Sequence, residues 1–212
     1  MAGIIHRDIS PNNIMYRKRD DQIIGVLIDW DLSVLVDPKS GEEPFVSTSK
    51  QRTGTKPYMA IDLLGPGPTK HLYRHDLESL FYVIVVLTTR YHEGEEVPGN
   101  PNGKGWDKYP PLQAWFSLGM EDLMTNKVAF LSLAIPTPTS GFLDIQDWTR
   151  PMRVMFRNGI TDREDHAGTA NLMELRPMVQ NITPFDEKTL GGNVDFDKFW
   201  QILDMIDTSG GQ

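Results

Sequence analysis

Asp8 stands at the end of the run His6-Arg7-Asp8, and Asn13 follows it five residues later. A carboxylate on such a loop can take the proton of a hydroxyl brought to it. An asparagine at that distance can turn back and offer its side-chain oxygen to a hard cation. Sixteen residues beyond Asn13, Asp29 ends an apolar run within Leu27-Ile28-Asp29-Trp30-Asp31. Two loops joined by a short hairpin would gather Asp8, Asn13 and Asp29 around one metal–phosphate site, a setting for phosphoryl transfer to a hydroxyl. Taken alone, Asp29-Trp30-Asp31 reads as an ordinary turn at a strand end; the upstream loop is what gives it chemical meaning.

These residues sit in an acidic, cysteine-free chain. Its 212 residues are enough to bury a sizeable core, and 39% hydrophobic with 24% charged residues is ordinary for a globular protein and excludes wholesale disorder. The absence of cysteine excludes disulfide frameworks, Cys-based zinc sites and thiol catalysis. A net charge of −8 argues against a nucleic-acid partner. Charge in the stretch Met1–Asp8 is wrong for a signal peptide. The longest apolar run, Leu80–Leu87, is far short of the roughly 20 residues a bilayer span needs. The expected setting is intracellular, cytoplasmic or nuclear, not secreted and with no membrane partner.

The elements that must position the site follow from periodicity. Ile23–Ile28, apolar and β-branched, predicts a buried strand, one of a strand pair near the start. Residues 36–70 read as loop. Asp76–Arg90 predicts a helix apolar nearly all round, with Leu77, Leu80, Phe81, Ile84 and Leu87 on one stripe, and therefore buried. A Gly/Pro-rich loop is expected from His92 to Pro111. Helices are expected at Pro111–Leu118, Met120–Leu133, Thr149–Arg157 and Asp195–Asp207, the last with a stripe of Phe196, Phe199, Trp200, Leu203 and Ile206. The picture is a mostly helical body with small β elements near the N-terminus.

Further matches fall in order along the chain. His6-Arg7-Asp8 through Asn13 fits the pattern H-R-D-x-x-x-x-N, and Asp29 stands where a D-F-G aspartate would. Arg52-Thr53-Gly54-Thr55-Lys56-Pro57-Tyr58-Met59-Ala60-Ile61-Asp62 is similar to the end of an activation segment, with Ala60-Ile61-Asp62 in place of A-P-E. His75-Asp76-Leu77-Glu78-Ser79-Leu80 heads the apolar helix. Asp76 there reads either as a helix N-cap or as the aspartate that holds a catalytic loop. Together the motifs resemble the large lobe of a eukaryotic-type protein kinase. The HRDIS and NIM stretches, the DLESL helix start and the region Trp115, Asp122, Lys127, Phe130-Leu131 resemble most the fungal-type protein kinase family.

The resemblance implies a protein-kinase-like (α+β) fold over residues 1–212: a large, mainly helical C-lobe with short β-hairpins near the N-terminus and no N-lobe. It divides into a motif-bearing part at 4–90, a helical remainder at 91–185 and a C-terminal helix at 193–207. It implies ATP and Mg2+ as cofactors, with Asp8 as the catalytic base and Asn13 and Asp29 binding the metal and nucleotide. His6 would be a packing residue, and Arg7 the partner of a phosphorylated activation segment. Thr55 would support Asp8 and shape the substrate platform, and Asp62 and Asp76 would be structural. Ser33, Ser40, Ser47, Thr48, Ser49, Thr53 and Thr55 are the candidate phosphosites, or simply a polar loop.

The chain departs from the family pattern at several positions. Ser10 stands where a lysine is usual, which removes a cation near the transferring phosphate. Trp30-Asp31 replaces Phe-Gly. Ile61-Asp62 replaces Pro-Glu, a shorter acid for an arginine partner expected among Arg150, Arg153 and Arg157. No Gly-rich phosphate loop, strand lysine, helix glutamate or adenine hinge precedes residue 6, and Gly99–Gly105 fits neither phosphate-binding glycine pattern, reading instead as a solvated loop. The missing N-lobe would be supplied upstream or by another chain, and the 212 residues alone are expected to transfer no phosphate.

Three functions therefore compete: a protein kinase acting on Ser/Thr hydroxyls of a protein substrate, a non-catalytic kinase-like binding module, and a small-molecule phosphotransferase of the aminoglycoside or choline type. Ile28-Asp29-Trp30-Asp31 fits the third. Arg7 and the Gly54–Ala60 segment favour protein as the substrate. Residues 39–74 carry six basic against three acidic residues, +3 in a chain whose remainder is −11, which suits phosphate or an acidic substrate and equally a solvated loop.

Overall fold

The computed structural model describes residues 3–36, 53–67, 69–92, 95–96, 110–133, 135–174 and 183–207. Its N-terminal part is built from small antiparallel pairs. β1 (Ile4–Ile5) pairs with β4 (Val34–Leu35), and β2 (Ile14–Arg19) pairs with β3 (Gln22–Leu27), Ile14 facing Leu27 and Arg19 facing Gln22 across the turn. A 3-10 turn at Pro11–Asn13 leads directly into β2, its proline at a helix-start position where no donor is lost.

Helices follow: α1 (Ile61–Leu64), α2 (Tyr73–Arg90), then a small pair of β5 (Tyr91–His92) with β6 (Glu95–Glu96), α3 (Pro110–Ser117), α4 (Met120–Ser132), α5 (Gln146–Glu174) and α6 (Phe196–Asp207). α2 is the central element, and the core forms where it meets α3, α4 and α5. Phe81 stacks on Phe156 at 5.5 Å, Tyr82 meets Trp115 edge-on at 5.2 Å, and Trp115 meets Phe130 at 5.0 Å. All five rings are buried. The Trp115 indole N–H, which would otherwise be stranded in that core, donates to Asn126 Oδ1 at 2.9 Å. No helix among the described residues is long and apolar enough to cross a membrane.

Several expectations are corrected. The strand at Ile23–Ile28 is not buried: Ile23 is 74% exposed, and only its far end, Leu27, packs on the core with Ile14. Among the described residues β2 and β3 pair only with each other, and their turn end lies in solvent, so apolar β-branched sequence here marks a strand without marking its burial. The stretch read as loop to residue 70 contains a 3-10 turn at Lys56–Tyr58 and α1, both buried in part. α2 starts a turn earlier than Asp76, and its Leu80, Ile84 and Leu87 are only half-buried while Phe81, Tyr82, Val85 and Val86 are fully inside.

α5 runs far beyond Thr149–Arg157: its polar second half shows no apolar stripe, and Arg163 and His166 tie it to Asp62 and to the Thr183 carbonyl. In α6, Phe199 and Ile202 face the core, while Trp200 is 51% exposed and stacks on Phe196 at 6.0 Å. Most of the Gly/Pro-rich stretch to residue 111, Gly99–Gly105 included, lies outside the described residues.

Candidate active site

The loop from His6 to Asn13 is held from below by one carboxylate. Asp76, in the first turn of α2 and buried, accepts the backbone N–H of His6 on Oδ2 at 2.6 Å and that of Arg7 on Oδ1 at 3.1 Å. His71 Nε2 lies 3.1 Å from the same Oδ1. Asp76 is therefore not the N-cap of α2: the helix begins at Tyr73, and it is His75 Nδ1 that accepts the Leu72 N–H, at 3.0 Å. Arg7 adopts a φ of 73°, a left-handed conformation that costs a side-chain-bearing residue about 1–2 kcal/mol and that the two N–H bonds to Asp76 offset.

Asp8 lies at the top of this loop, held on both oxygens. Thr55 donates to Oδ1 twice, from its backbone N–H and from its hydroxyl, each at 2.8 Å. Asn13 Nδ2 donates to the Asp8 backbone carbonyl at 2.9 Å and to Oδ2 at 3.2 Å. Both Asn13 bonds use the amide nitrogen, so the amide oxygen is the atom a cation would take. The Asn13 carbonyl accepts the Ile28 N–H at 2.9 Å, and His6 Nε2 meets the Ile28 carbonyl at 3.0 Å. These bonds tie the residue just before Asp29 to the Asp8 loop. Asp29 itself is exposed, with a φ of 62°. The Trp30 ring stands edge-on to His6 at 4.8 Å and donates its N–H to the Leu27 carbonyl at 2.9 Å. Ser10, in place of the expected lysine, is buried and supplies its carbonyl to the Asn13 N–H at 3.0 Å.

Asp8, Asn13, Thr55, His6 and Asp76 thus form one hydrogen-bonded assembly, with Asp29 beside it. Arg7 joins through its backbone. Among the described residues its Nε is buried without a hydrogen-bond partner, as is the Thr53 hydroxyl. Among the described residues no group of three or more His, Asp or Glu side chains is placed to hold a metal by itself. The Asn13 amide oxygen and the exposed Asp29 carboxylate are the oxygens that would take a magnesium ion, which is often held by one or two protein oxygens with phosphate oxygens completing the shell. Ser40, Ser47, Thr48, Ser49 and Arg52 lie outside the described residues.

Asp62 belongs to a second cluster. It takes Arg74 Nη2 on Oδ2 at 2.5 Å and Arg163 Nη1 on both oxygens at 2.9 and 2.8 Å, with His75 Nε2 at 3.5 Å. None of the expected arginines pairs with it. Arg150 bonds Gln146, Arg153 caps the carbonyls of Leu131 and Leu133, and Arg157 reaches Asn158. The shorter acid is met by a nearer arginine on α2 and by one a turn and a half farther along α5. Burial pushes the Asp62 carboxyl up, but the His75 ring nitrogen facing it, the Arg163 hydrogen bonds and the two guanidinium charges outweigh it and hold it well below the usual carboxylate range.

His75 runs the other way: burial, with the charges of Arg74 and His71, overcomes the Asp62 carboxylate and brings it down to about 4. It is neutral in the fold, whereas the unfolded chain protonates it below about pH 6.5. The unfolded state then binds the extra proton between those values, so stability present above pH 6.5 should decline by about 3 kcal/mol as pH falls towards 4. Urea melts between pH 7 and 4 on the wild type and His75→Gln check this; equal slopes for the two would remove His75 from the effect.

Two residues with a part in this arrangement escaped sequence reasoning. Glu78 Oε1 accepts the Ile61 N–H at 2.9 Å and the Tyr82 hydroxyl at 2.7 Å. Lys127 Nζ donates to the Met59 carbonyl at 2.5 Å and lies 3.8 Å from the centre of the Tyr82 ring. Both are buried. Burial raises Glu78 and lowers Lys127, while the Glu78 charge works the other way on Lys127. The signal was present: Leu123, Lys127, Phe130 and Leu131 share one face of α4, and a lysine among core positions asks for a partner.

Residues 1–88 match the family model described as fungal protein kinase. No curated protein matches the chain.

Proposed function

We propose that the chain, whose residues 1–88 match the family model described as fungal protein kinase, carries the substrate-hydroxyl side of a phosphoryl-transfer site, moving the γ-phosphoryl of ATP to a serine or threonine of a protein. The observation that carries the reading is the double anchoring of Asp8 by Thr55 and Asn13. It leaves a carboxylate fixed in direction at the mouth of the loop, and a fixed acceptor is what proton removal from a weakly acidic hydroxyl needs. In the transfer, Asp8 accepts the hydroxyl proton as the new O–P bond forms and the bond from the γ-phosphorus to the bridging oxygen breaks. Asn13 and Asp29 would hold magnesium, which would supply charge neutralisation at the phosphate oxygens. Arg7, whose buried Nε has no hydrogen-bond partner among the described residues, receives a phosphate placed on the activation segment. Thr55 both orients Asp8 and starts the platform on which the protein substrate lies.

The test is transfer of labelled phosphate from Mg-ATP to a Ser/Thr peptide mixture by the protein purified from its natural source. Asp8→Asn should lower the rate by about 100-fold to 10,000-fold, the usual worth of a positioned general base. It keeps the shape of the side chain and should leave magnesium binding in place. Equal rates for the two proteins would remove Asp8 from the reaction. No transfer by the wild type would favour the binding module instead.

A further inference from the structure

From Thr55 to Asp62 the chain leaves Asp8 and is held at three points, Lys56, Met59 and Ile61. Lys56 Nζ donates to the Leu118 carbonyl at 2.7 Å, Lys127 Nζ to the Met59 carbonyl, and the Ile61 N–H donates to Glu78. Two of these three anchors are titratable side chains inside the core, with Lys127 at 0% and Glu78 at 2% exposure. A methionine or leucine would fill the Lys127 space without the cost of removing an amine from water. Neither would hold the Met59 carbonyl, nor put N–H donors on the faces of Tyr82 and Trp115, whose ring centres lie 3.8 and 5.1 Å from Nζ. Glu78 completes the frame from α2, since the hydroxyl it accepts comes from that same Tyr82.

Met59 also connects this frame to the candidate active site. A Cβ placed on Gly54 would lie 3.1 Å from Met59 Cγ and 3.3 Å from the Arg7 carbonyl, so the Met59 side chain and the Asp8 loop close on Gly54 from two sides. The next residue, Thr55, makes both bonds to Asp8 Oδ1. A shift of Met59 is therefore transmitted through Gly54 and Thr55 to the carboxylate.

We propose that Glu78 and Lys127 are positioning residues: as a pair they set the height of Thr55–Asp62 over α2 and α4, and through Met59 and Thr55 they aim Asp8 at the incoming protein hydroxyl. The catalytic consequence rests on the phosphoryl-transfer reading above, while the placement of the segment stands apart from it.

Lys127→Met, Glu78→Gln and the double variant test this in the 212-residue chain by amide hydrogen exchange, and in the protein from its natural source by kinetics. Glu78→Gln keeps the shape and an acceptor oxygen, so it serves should Lys127→Met fail to fold. Either single change should raise exchange in residues 53–62 about tenfold while the α2 and α4 cores keep their protection. The same changes should lower kcat/KM for peptide about tenfold or more with KM for ATP unchanged, as misplacement of a reacting group does. The double variant should fall short of the sum of the singles, as coupled neighbours do. Unchanged exchange at 53–62, or loosening spread evenly over α2 and α4, would overturn the proposal. A wild type that transfers no phosphate would instead overturn the phosphoryl-transfer reading, and the exchange result would still decide whether the pair places the segment.

Discussion

Asp62→Asn is expected to destabilise the chain by about 3 kcal/mol, the lower end of the 3–5 kcal/mol lost when one partner of a buried ion pair is removed. The site is built so that the loss cannot be avoided. Arg74 is 3% exposed at its side chain and Arg163 26%, and both aim a guanidinium at Asp62. Asparagine presents one acceptor oxygen and one N–H2 group, so one guanidinium would face a donor. The figure stays at the lower end because Glu187 remains: its carbonyl already accepts Arg74 Nε at 2.7 Å, and its carboxylate lies 3.7 Å from Arg74 and 3.6 Å from Arg163. Chemical denaturation at pH 7 measures the change, and the melting temperature should fall by about 6–12 °C in a chain of this length.

The pH dependence gives a second readout of the same variant. The Asp62 carboxyl titrates in the unfolded chain near the ordinary value of about 3.9 and in the fold far below it. Its stabilisation is whole above about pH 4 and is lost as the pH falls through the acid range. Asp62→Asn should remove that share of the acid sensitivity and enlarge the His75 share, since the Asp62 carboxylate is what holds the His75 ring up against burial and the charges of Arg74 and His71. A variant as stable as the wild type at pH 7 would mean that Arg74 and Arg163 find other acceptors.

The same cluster shows what could be read in advance and what could not. The need of Asp62 for an arginine was legible from the segment Gly54–Asp62, yet the choice among arginines was not. Arg163 sits in the polar half of α5, where no apolar periodicity announces a helix, and only the fold brings position 163 to position 62. The contacts within the His6–Asn13 loop are local, and the spacing put Asp8 and Asn13 at one site without indicating that the Asn13 amide bonds Asp8 itself. Thr55 to Asp8 spans 47 residues, and it was legible only through likeness to a known pattern. Burial was the least legible property. Ile23 and Lys127 are reversed from what their side chains suggest, the isoleucine in solvent and the lysine in the core. Hydrophobicity measures what burial would contribute and says nothing of whether a neighbour arrives to provide it.

Asp76→Asn should have a comparable effect on stability and a larger one on the site. Two backbone donors meet the two oxygens of this carboxylate, and asparagine offers an oxygen to one of them only. The His6 or Arg7 N–H would then face an amide N–H2 inside the protein, where an unmet donor costs about 1–3 kcal/mol in addition to the charge-assisted bond lost. The left-handed backbone of Arg7 loses its counterweight in the same step, since the strain at a φ of 73° is held by those bonds. About 3 kcal/mol of lost stability is expected, from the same denaturation measurement. The diagnostic part is local. Amide exchange at His6, Arg7 and Asp8 should rise before that of the α2 core, and bonds that depend on the loop's height, Thr55 to Asp8 and Ile28 to Asn13, should loosen with it. If exchange instead rises uniformly with global unfolding, Asp76 stabilises α2 as a helix residue and the loop keeps its shape without it. The two outcomes differ because the Asp76 carboxylate meets the chain at residues 6 and 7, about 70 positions from its own helix, and only a tie of that reach can unlatch the loop while the helix stays folded.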